Sequence, residues 1–459
     1  MLDQRARFRS ERVHFVGIGG IGMEALARFL DAVGCKVSGS DREASATTDK
    51  LRQDGIDARV GHDSANVRGV ELVVYSAAVP LDNVELNSAR QHGIELVSRA
   101  QLLGQLSSSK SCLAVAGTHG KTTTASMLAA VLRAARLDPS IIVGGWVDGK
   151  AQATAGSGSH FVVEADEFDR SFLHLDPQVA VVTNMEAEHL GGSYRNLDDL
   201  LSAFTEFLHR LPAQDGRAVV NGDDPGASRL ARLIERSTLT FGFSAESDVN
   251  ATDVQLQRDG SCCTLRVDGA AVGQLKLSIP GVHNVSNAMA AAAAALCLQV
   301  PFEAIRDGLA AFRGVDRRFQ ILGEVNGILV VDDYAHHPTE VRAALAAARG
   351  VGRRVIAVFQ PHLYSRTRLF SAGFADALRA ADVVLLAPVY GSREEPEVGI
   401  NSELIAEAMR SGGFDAVWCV GLEDLTSRLR AVAGDGDLII TLGAGNIGEV
   451  ADAFVANLN

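Results

Sequence analysis

The chain has no surplus of positive charge. Its 43 lysines and arginines face 56 aspartates and glutamates, a formal net charge of −13, so it has no broad basic face for displacing counterions from a polyphosphate backbone. Nucleic acid is therefore not an expected partner, and any small anionic ligand must be met by local cations. Cysteine is sparse too. The six cysteines, at 35, 112, 262, 263, 297 and 419, show neither CxxC nor Cys/His spacing, which excludes a zinc ribbon, and the adjacent pair Cys262–Cys263 suits a disulfide badly. Free thiols in a reducing compartment are expected. Long apolar runs are missing: "AMAAAAAALCLQV", 288–300, is too short and too alanine-rich to favour a bilayer, so it reads as a packed helix. The opening "MLDQRARFRSERVHF" carries charges and no apolar export core. No membrane insertion and a cytoplasmic location are the expectation.

What the chain does have is length and ordinary globular composition. With 459 residues, 47% apolar and 22% charged, it exceeds what one hydrophobic core supports, and ~150 residues per domain gives about three domains. Strand-like runs alternate with helical periods, which predicts an α/β fold with largely parallel sheets. "VHFVG" (13–17), "KVSGSD" (36–41) and "ELVVYSAAV" (71–79) supply strands to a first domain, 1–107, closed by the serine-rich stretch before "CLAVAG". A central domain, 108–313, continues through "SHFVVEADEFD" and "QVAVVTNMEAEH", whose strand ends are acidic or polar, with hairpin character at 267–281. A third domain, 314–459, has strand-like runs at 327–334, 353–361, 382–389, 416–421 and 437–445.

Two phosphate-cradle patterns stand out. In "AVAGTHGKTTT", Gly117 and Gly120 are backbone-permissive positions after a strand, Lys121 is a point charge, and the Thr122 hydroxyl can reach a magnesium ion at the start of the next helix. Only the GKT end of the P-loop pattern is present, because Val115 stands where its first glycine belongs. Earlier, Gly17-x-Gly19-x-x-Gly22 follows a strand and opens a helix, with Asp41 ending the next strand; alone it would suggest a dinucleotide. A third match, Gly443-x-Gly445-x-x-Gly448, shows that the pattern first marks a tight strand-to-helix turn. A structural turn is expected at 443–448. A diphosphate ligand is expected at 17–22, where Asp41 and Ser76 share the crevice.

Acidic and histidine residues gather at other strand ends. "EADEFD" and "NMEAEH" bring Glu164, Asp166, Glu167, Asp169, Glu186, Glu188 and His189 beside the central domain's crevice. Carboxylates there suit magnesium, although most of the six are expected to be solvated loop charges, and a histidine is not the ligand that a hard ion selects. "DDYAHHPTEV" and "FQPHLYSRTRLF" place Asp333, Tyr334, His336, His362, Arg366 and Arg368 at strand ends of the third domain, where an arginine can fork onto a carboxylate or phosphate.

This ordered set resembles the Mur ligases of bacterial cell-wall synthesis. The resemblance covers nearly the whole chain, from "VHFVGIGGIGM", "VSGSD" and "YSAAVP" through "AGTHGKTTT", "EADEFDRSFL", "TNMEAEH", "PGVHNVSNAMAA" and "GVDRRF" to "VDDYAHHPTEV", "FQPHLYSRTR" and "TLGAGNIG". It implies a Rossmann-like first domain for a UDP-sugar, a central P-loop ATPase domain and a Rossmann-like third domain that brings an amino acid. It also answers why there are two cradles: one holds the UDP end of the sugar, the other ATP. The partners it implies are UDP-N-acetylmuramate and L-alanine, with ATP as substrate, magnesium (Mg2+) as its ion, and a monomer or weak homodimer as the assembly.

Residue roles follow from the same resemblance. Gly17, Ile18, Gly19, Gly20, Ile21, Gly22, Met23, Asp41, Ser76 and Arg99 would meet the UDP-sugar. Gly117, Thr118, His119, Gly120, Lys121, Thr122 and Thr123 would cradle the ATP phosphates, with Thr122 and Glu164 holding one magnesium ion and His189 helping to hold a second. His283, Asn284 and Asn287 would serve the adenine end, Arg317 and Arg318 the phosphates, and Asp333 the ribose. Tyr334, His336, His362 and Arg366 would form the amino-acid pocket, Arg366 receiving the carboxylate. Lys121, Glu164, His189, Arg317, His336 and Arg366 carry the catalytic expectation.

Two departures from the family pattern qualify these roles. The loop after His189, "HLGGSYRN", is shorter than usual by about two residues, and Leu363 stands where some relatives carry an arginine. Two other readings stay open on the sequence: a ligase that recycles a tripeptide onto the same sugar, and a nicotinamide-dependent oxidoreductase using 17–22 and Asp41. The second leaves "GTHGKTTT" without a purpose.

Overall fold

The computed structural model describes residues 11–186, 193–257, 260–392 and 394–456. They divide into two compact units, one made of the chain up to 253 with 263–275 and 286–312, the other of 254–262, 276–285 and the chain from 313. Three sheets carry the fold of the described residues. The first is all parallel, with β1 (Arg12–Val16), β2 (Lys36–Asp41), β3 (Asp57–Val60), β4 (Leu72–Tyr75) and β5 (Glu95–Ser98) in the order β3-β2-β1-β4-β5. Its order reverses beside β1, which is where such a sheet opens a ligand crevice. Helices α1 (Ile21–Ala32), α2 (Ala46–Gln53), α3 (Val84–Gln91) and α4 (Arg99–Ser107) connect the strands.

The second sheet has ten strands: β6 (Ser111–Ala116), β7 (Ser140–Val147), β8 (Lys150–Thr154), β9 (His160–Glu164), β10 (Val179–Val182), β11 (Arg217–Asn221), β12 (Ser237–Gly242), β13 (Val249–Gln257), β14 (Gly260–Val267) and β15 (Ala270–Leu277), ordered β15-β14-β13-β12-β11-β10-β6-β9-β7-β8. The strands flanking β6 run parallel to it, and β6 itself is apolar and buried from Cys112 to Ala116, as an interior strand of a parallel sheet is. The hairpin expected near 267–281 is β14–β15, turned by Asp268 and Gly269, both with positive φ, as a two-residue loop requires. Helix α5 (Lys121–Ala134) follows β6, then α6 (Leu197–His209), α7 (Pro225–Leu233), the alanine-rich α8 (Val282–Cys297) and α9 (Phe302–Ala311). Ala290 to Ala295 are fully buried, so that run is a packed helix. One apolar core spans the first sheet's helices and β6–β11; Phe29 of α1 meets Phe161 of β9 with ring centres 5.3 Å apart.

In the second unit, β16 (Gln320–Val325), β17 (Ile328–Asp333), β18 (Arg354–Phe359), β19 (Val383–Leu386), β20 (Val417–Cys419) and β21 (Asp437–Leu442) form a sheet ordered β16-β17-β21-β18-β19-β20, with only β16–β17 antiparallel. Helices α10 (Pro338–Gly350), α11 (Tyr364–Leu378), α12 (Glu403–Ser411), α13 (Leu425–Val432) and α14 (Gly448–Ala456) complete it. Two apolar clusters, one on each face of this sheet, give the layers their core. The protein is thus α/β, with Rossmann-like first and third parts and a mostly parallel P-loop sheet in its central part. No cysteine is in a disulfide, and no helix among the described residues is long and apolar enough to cross a membrane.

Candidate active site

The phosphate loop runs from the end of β6 to the start of α5. Gly117 has φ +131° and a side chain there would fall 2.1 Å from Thr183 Oγ1; Gly120, at φ +80°, would put one 2.5 Å from Asn287 Oδ1. Both positions therefore need glycine for space as well as for conformation. The loop is clamped by residues just past β10: Asn184 accepts from the His119 amide (2.8 Å) and donates to its carbonyl (2.9 Å), while Thr183 Oγ1 donates to the same carbonyl (2.6 Å). Asn287 accepts from Thr124 (3.3 Å), so it lies against the loop's helix. Thr118, Thr122 and Thr123 are all buried.

Lys121 is held from three sides. Its Nζ donates to the carbonyls of Gly117 (2.6 Å) and Thr118 (3.1 Å) and to Glu167 Oε2 (2.9 Å). Burial pulls against the charged ammonium, but Glu167, Asp166 and Glu164 more than offset it and raise its pKa. Burial raises Glu167 in turn, against the pull of Lys121, and the fully buried Tyr194 donates to its carbonyl at 2.6 Å. Glu164 accepts from Thr122 Oγ1 (3.0 Å) and from the Gly144 amide (3.0 Å). Burial raises it too, Lys121 opposing. His119 Nε2 stands 3.6 Å from Glu186. Glu188 and His189 lie outside the described residues.

The glycine loop is built differently. Ser40 O accepts the amides of Gly17 (2.8 Å) and Ile18 (3.0 Å), and Asp41 Oδ2 accepts that of Gly19 (2.8 Å). Ile18 and Met23 are core residues, so what they offer is backbone. Gly20 caps α1 in an extended conformation, and the first-turn amides at Ile21 and Gly22 have no partner within the helix. Ser76 sits beside Gly17, where a side chain would come 3.2 Å from its Cβ. The cation comes from α4: a side chain on Gly22 would lie 3.2 Å from Arg99 Nη1, and Arg99 Nη2 is 3.8 Å from Asp166 Oδ2. Arg99 thus joins the glycine loop to the acidic stretch that follows β9.

In the second unit the strand ends of β17 and β18 bring four expected residues together. The rings of Tyr334 and His336 are 5.3 Å apart, His336 and His362 5.7 Å, and Arg366 Nη1 is 3.4 Å from His362 Nδ1. His336 Nδ1 lies 2.9 Å from the Tyr334 carbonyl. That oxygen only accepts, so Nδ1 carries the proton and Nε2 is the acceptor. Burial, with Arg366 adding to it and Glu340 opposing, pushes His336 down to about 3. Burial and then Arg318 push His283 down to about 4; beside it, Asn284 donates to Pro280 O at 2.7 Å. Leu363 starts α11 at φ +68°, ψ 137°, held by its amide's bond to Tyr390 O (2.9 Å).

Arg317 is committed elsewhere in that unit. It bonds Asp332 (2.8 Å) and the carbonyls of Gly443 (2.7 Å) and Gly445 (3.0 Å), filling the turn at 443–448. Gly445 packs so tightly that a side chain would meet Gln360 Oε1 at 2.4 Å and the Tyr390 ring at 2.6 Å. Arg318 lies 5.3 Å from the Tyr334 ring. Asp333, raised to about 6 by burial with Arg318 opposing, accepts from the Phe319 and Ala335 amides, both at 2.7 Å. Tyr390, stacked on His362 at 5.9 Å, and Thr183 and Asn184 carry no signal in the sequence that marks them as site residues, and Glu167 is marked there only as one of the clustered carboxylates.

A fold of this kind, with a Lys-Thr phosphate loop beside buried carboxylates, belongs to ATP-using enzymes, and family models identify which. The Mur ligase family catalytic domain matches 12–111, the Mur ligase middle domain 115–295 and the Mur ligase glutamate ligase domain 317–445. The chain belongs to the Mur ligase family. It is 42% identical over 452 residues to the UDP-N-acetylmuramate–L-alanine ligase of Geobacter sulfurreducens, covering 98% of each chain, and 43% identical over 460 residues to that of Salinibacter ruber, covering 99% of this chain and 96% of the relative. Among solved structures, UDP-N-acetylmuramate-alanine ligase MurC from Thermotoga maritima aligns at 31% identity with a TM-score of 0.84, covering 97% of this chain and 98% of its own. A murein peptide ligase from Psychrobacter arcticus aligns at 26% identity and a TM-score of 0.73, covering 98% of this chain and 99% of its own.

Proposed function

We propose that the chain joins L-alanine to UDP-N-acetylmuramate at the expense of ATP, giving UDP-N-acetylmuramoyl-L-alanine, ADP and phosphate. The observation that carries this reading is Arg99, packed over Gly22 of one nucleotide loop and 3.8 Å from Asp166, two residues from the Glu164 carboxylate that meets Thr122 of the other. Two anionic reactants need such a cation between them.

A carboxylate is a poor acyl donor, since it has no good leaving group, so the sugar's lactyl carboxylate oxygen first attacks the γ-phosphorus of ATP, the bond to the bridging oxygen breaks, and ADP leaves. Lys121, held fully protonated, takes the β and γ phosphates in exchange for Glu167. The hydroxyl of Thr122 and the carboxylate of Glu164 are hard oxygen donors 3.0 Å apart, which fits magnesium; they would hold the ion, and it would supply neutralisation of phosphate charge. Arg366 receives the alanine carboxylate, and His336 Nε2 accepts a hydrogen bond from its amine. The amine nitrogen attacks the acyl phosphate, and the tetrahedral intermediate expels phosphate, which carries away the amine proton. Asn287 serves the nucleotide from the phosphate-loop side, with His283, Asn284, Arg318 and Asp333 assigned to ATP, and Arg317 to positioning. His189 keeps its assignment to a second ion.

Phosphate release from ATP with UDP-N-acetylmuramate tests the reading, comparing alanine, serine, glycine and the tripeptide. Alanine is expected to drive it best, with serine within the ~1–3 kcal/mol that one added group allows. Release that needs the tripeptide would favour the recycling reading that the murein peptide ligase likeness supports. Tight NAD(H) binding with no ATP binding would overturn both.

A further inference from the structure

We propose that Glu85 is a positioning residue for the UDP-sugar: through Ser40 it fixes the strand end to which the glycine loop is tied. The inference rests on the reading that this loop holds the UDP end of the sugar. Glu85, in the first turn of α3, is wholly buried. A buried carboxylate is costly unless its oxygens are satisfied, and these are. Oε2 accepts from Ser40 Oγ (2.6 Å) and lies 3.0 Å from His62 Nδ1; Oε1 accepts from Asn66 Nδ2 (2.6 Å), with His14 Nε2 at 3.5 Å. Burial alone would raise its pKa, but the His14 ring beside it and the hydrogen bonds from Ser40 and Asn66 win and hold it down at about 2.

Ser40 carries the constraint onward. Its carbonyl accepts the amides of Gly17 and Ile18 (2.8 and 3.0 Å), and the next residue, Asp41, accepts that of Gly19 (2.8 Å). Three successive loop amides therefore follow wherever Ser40 and Asp41 sit. No part of Glu85 or the Ser40 hydroxyl belongs to the assigned ligand set; both act on the ligand through the loop.

Calorimetric titration of the full chain with UDP, and separately with ATP, tests this for wild type, Glu85→Gln and Ser40→Ala. The expected result is that UDP affinity falls about tenfold in Glu85→Gln and severalfold in Ser40→Ala, with ATP affinity unchanged and, in turnover, the KM for the UDP-sugar raised while kcat holds. Should Glu85→Gln fail to fold, Ser40→Ala decides, because it removes the link and keeps the carboxylate's other partners. Unchanged UDP affinity in a folded variant, or equal losses for UDP and ATP, overturns the positioning role. A wild-type chain that binds no UDP overturns the loop reading beneath it.

Discussion

The glycine loop at 17–22 and the phosphate loop at 117–122 each follow a buried parallel strand and open a helix, yet they meet charge in opposite ways. The phosphate loop carries its own ammonium, Lys121, against a buried carboxylate 2.9 Å away. The glycine loop has no cation of its own: its amides are tied to Ser40 and Asp41, and Arg99 reaches it from another helix. The first suits a phosphate whose bond is to be broken, where charge must sit at the reacting atoms; the second suits a diphosphate that is only held. A third loop, 443–448, shares the glycine spacing and has its carbonyls filled by Arg317. The pattern of glycines defines a turn, and the neighbouring side chains decide whether it has a ligand.

Breaking the ammonium should have the largest effect. Lys121→Ala is expected to lower alanine-dependent phosphate release by about 10²–10³-fold or more, while calorimetry shows UDP-sugar binding intact; equal losses in both would erase the distinction between the loops. Arg366→Ala should raise the alanine KM about 10²-fold with the KM for ATP held, read from initial rates. Arg99→Ala should raise the KM for UDP-N-acetylmuramate about tenfold. The 443–448 turn should respond in stability alone: Gly445→Ala overpacks it, costing about 1–3 kcal/mol in urea unfolding, with the KM for the UDP-sugar unmoved.

A smaller effect sharpens the contrast between charged and neutral groups. His336 sits at about 3, against an ordinary 6.5, so its folded pKa is depressed. Its contribution to stability is present above 6.5 and is lost as pH falls toward 3, because the unfolded chain binds the proton first. His336→Gln should therefore flatten the acid side of the stability profile, measured by urea midpoints between pH 7 and pH 4. An unchanged slope would mean that His336 is not held neutral.

Much of this was legible in the sequence because strand and helix periods were strong and the glycine turns sat at their junctions. The strands of "VHFVG", "KVSGSD" and the third domain's five runs are where the apolar patterns put them. Short or half-polar strands were not legible: β3 (Asp57–Val60) buries only Ala58, so its sequence has no strand signature. In the site, Lys121 and Thr122 declared themselves through a local motif. Glu167 did not, since one carboxylate among several in "EADEFD" looks solvated until the fold buries it on Lys121. Asn184 clamps the backbone of His119, 65 residues away, a contact that only parallel β6–β10 pairing creates. Glu85 was not legible: it lies beside Leu86 and Ala89 on the buried face of its helix, and only the fold shows an acid there to be a buried hub.

The Lys121–Glu167 contact has a further consequence for selectivity among anions. Because the ammonium already rests on an internal carboxylate and two carbonyl oxygens, an incoming ligand wins it only by offering a stronger multi-point grip. A nucleoside triphosphate has that grip along its whole length. Orthophosphate, a product of the same reaction, competes with a rival that is part of the protein and always at full local concentration, so the site resists being clogged by what it releases.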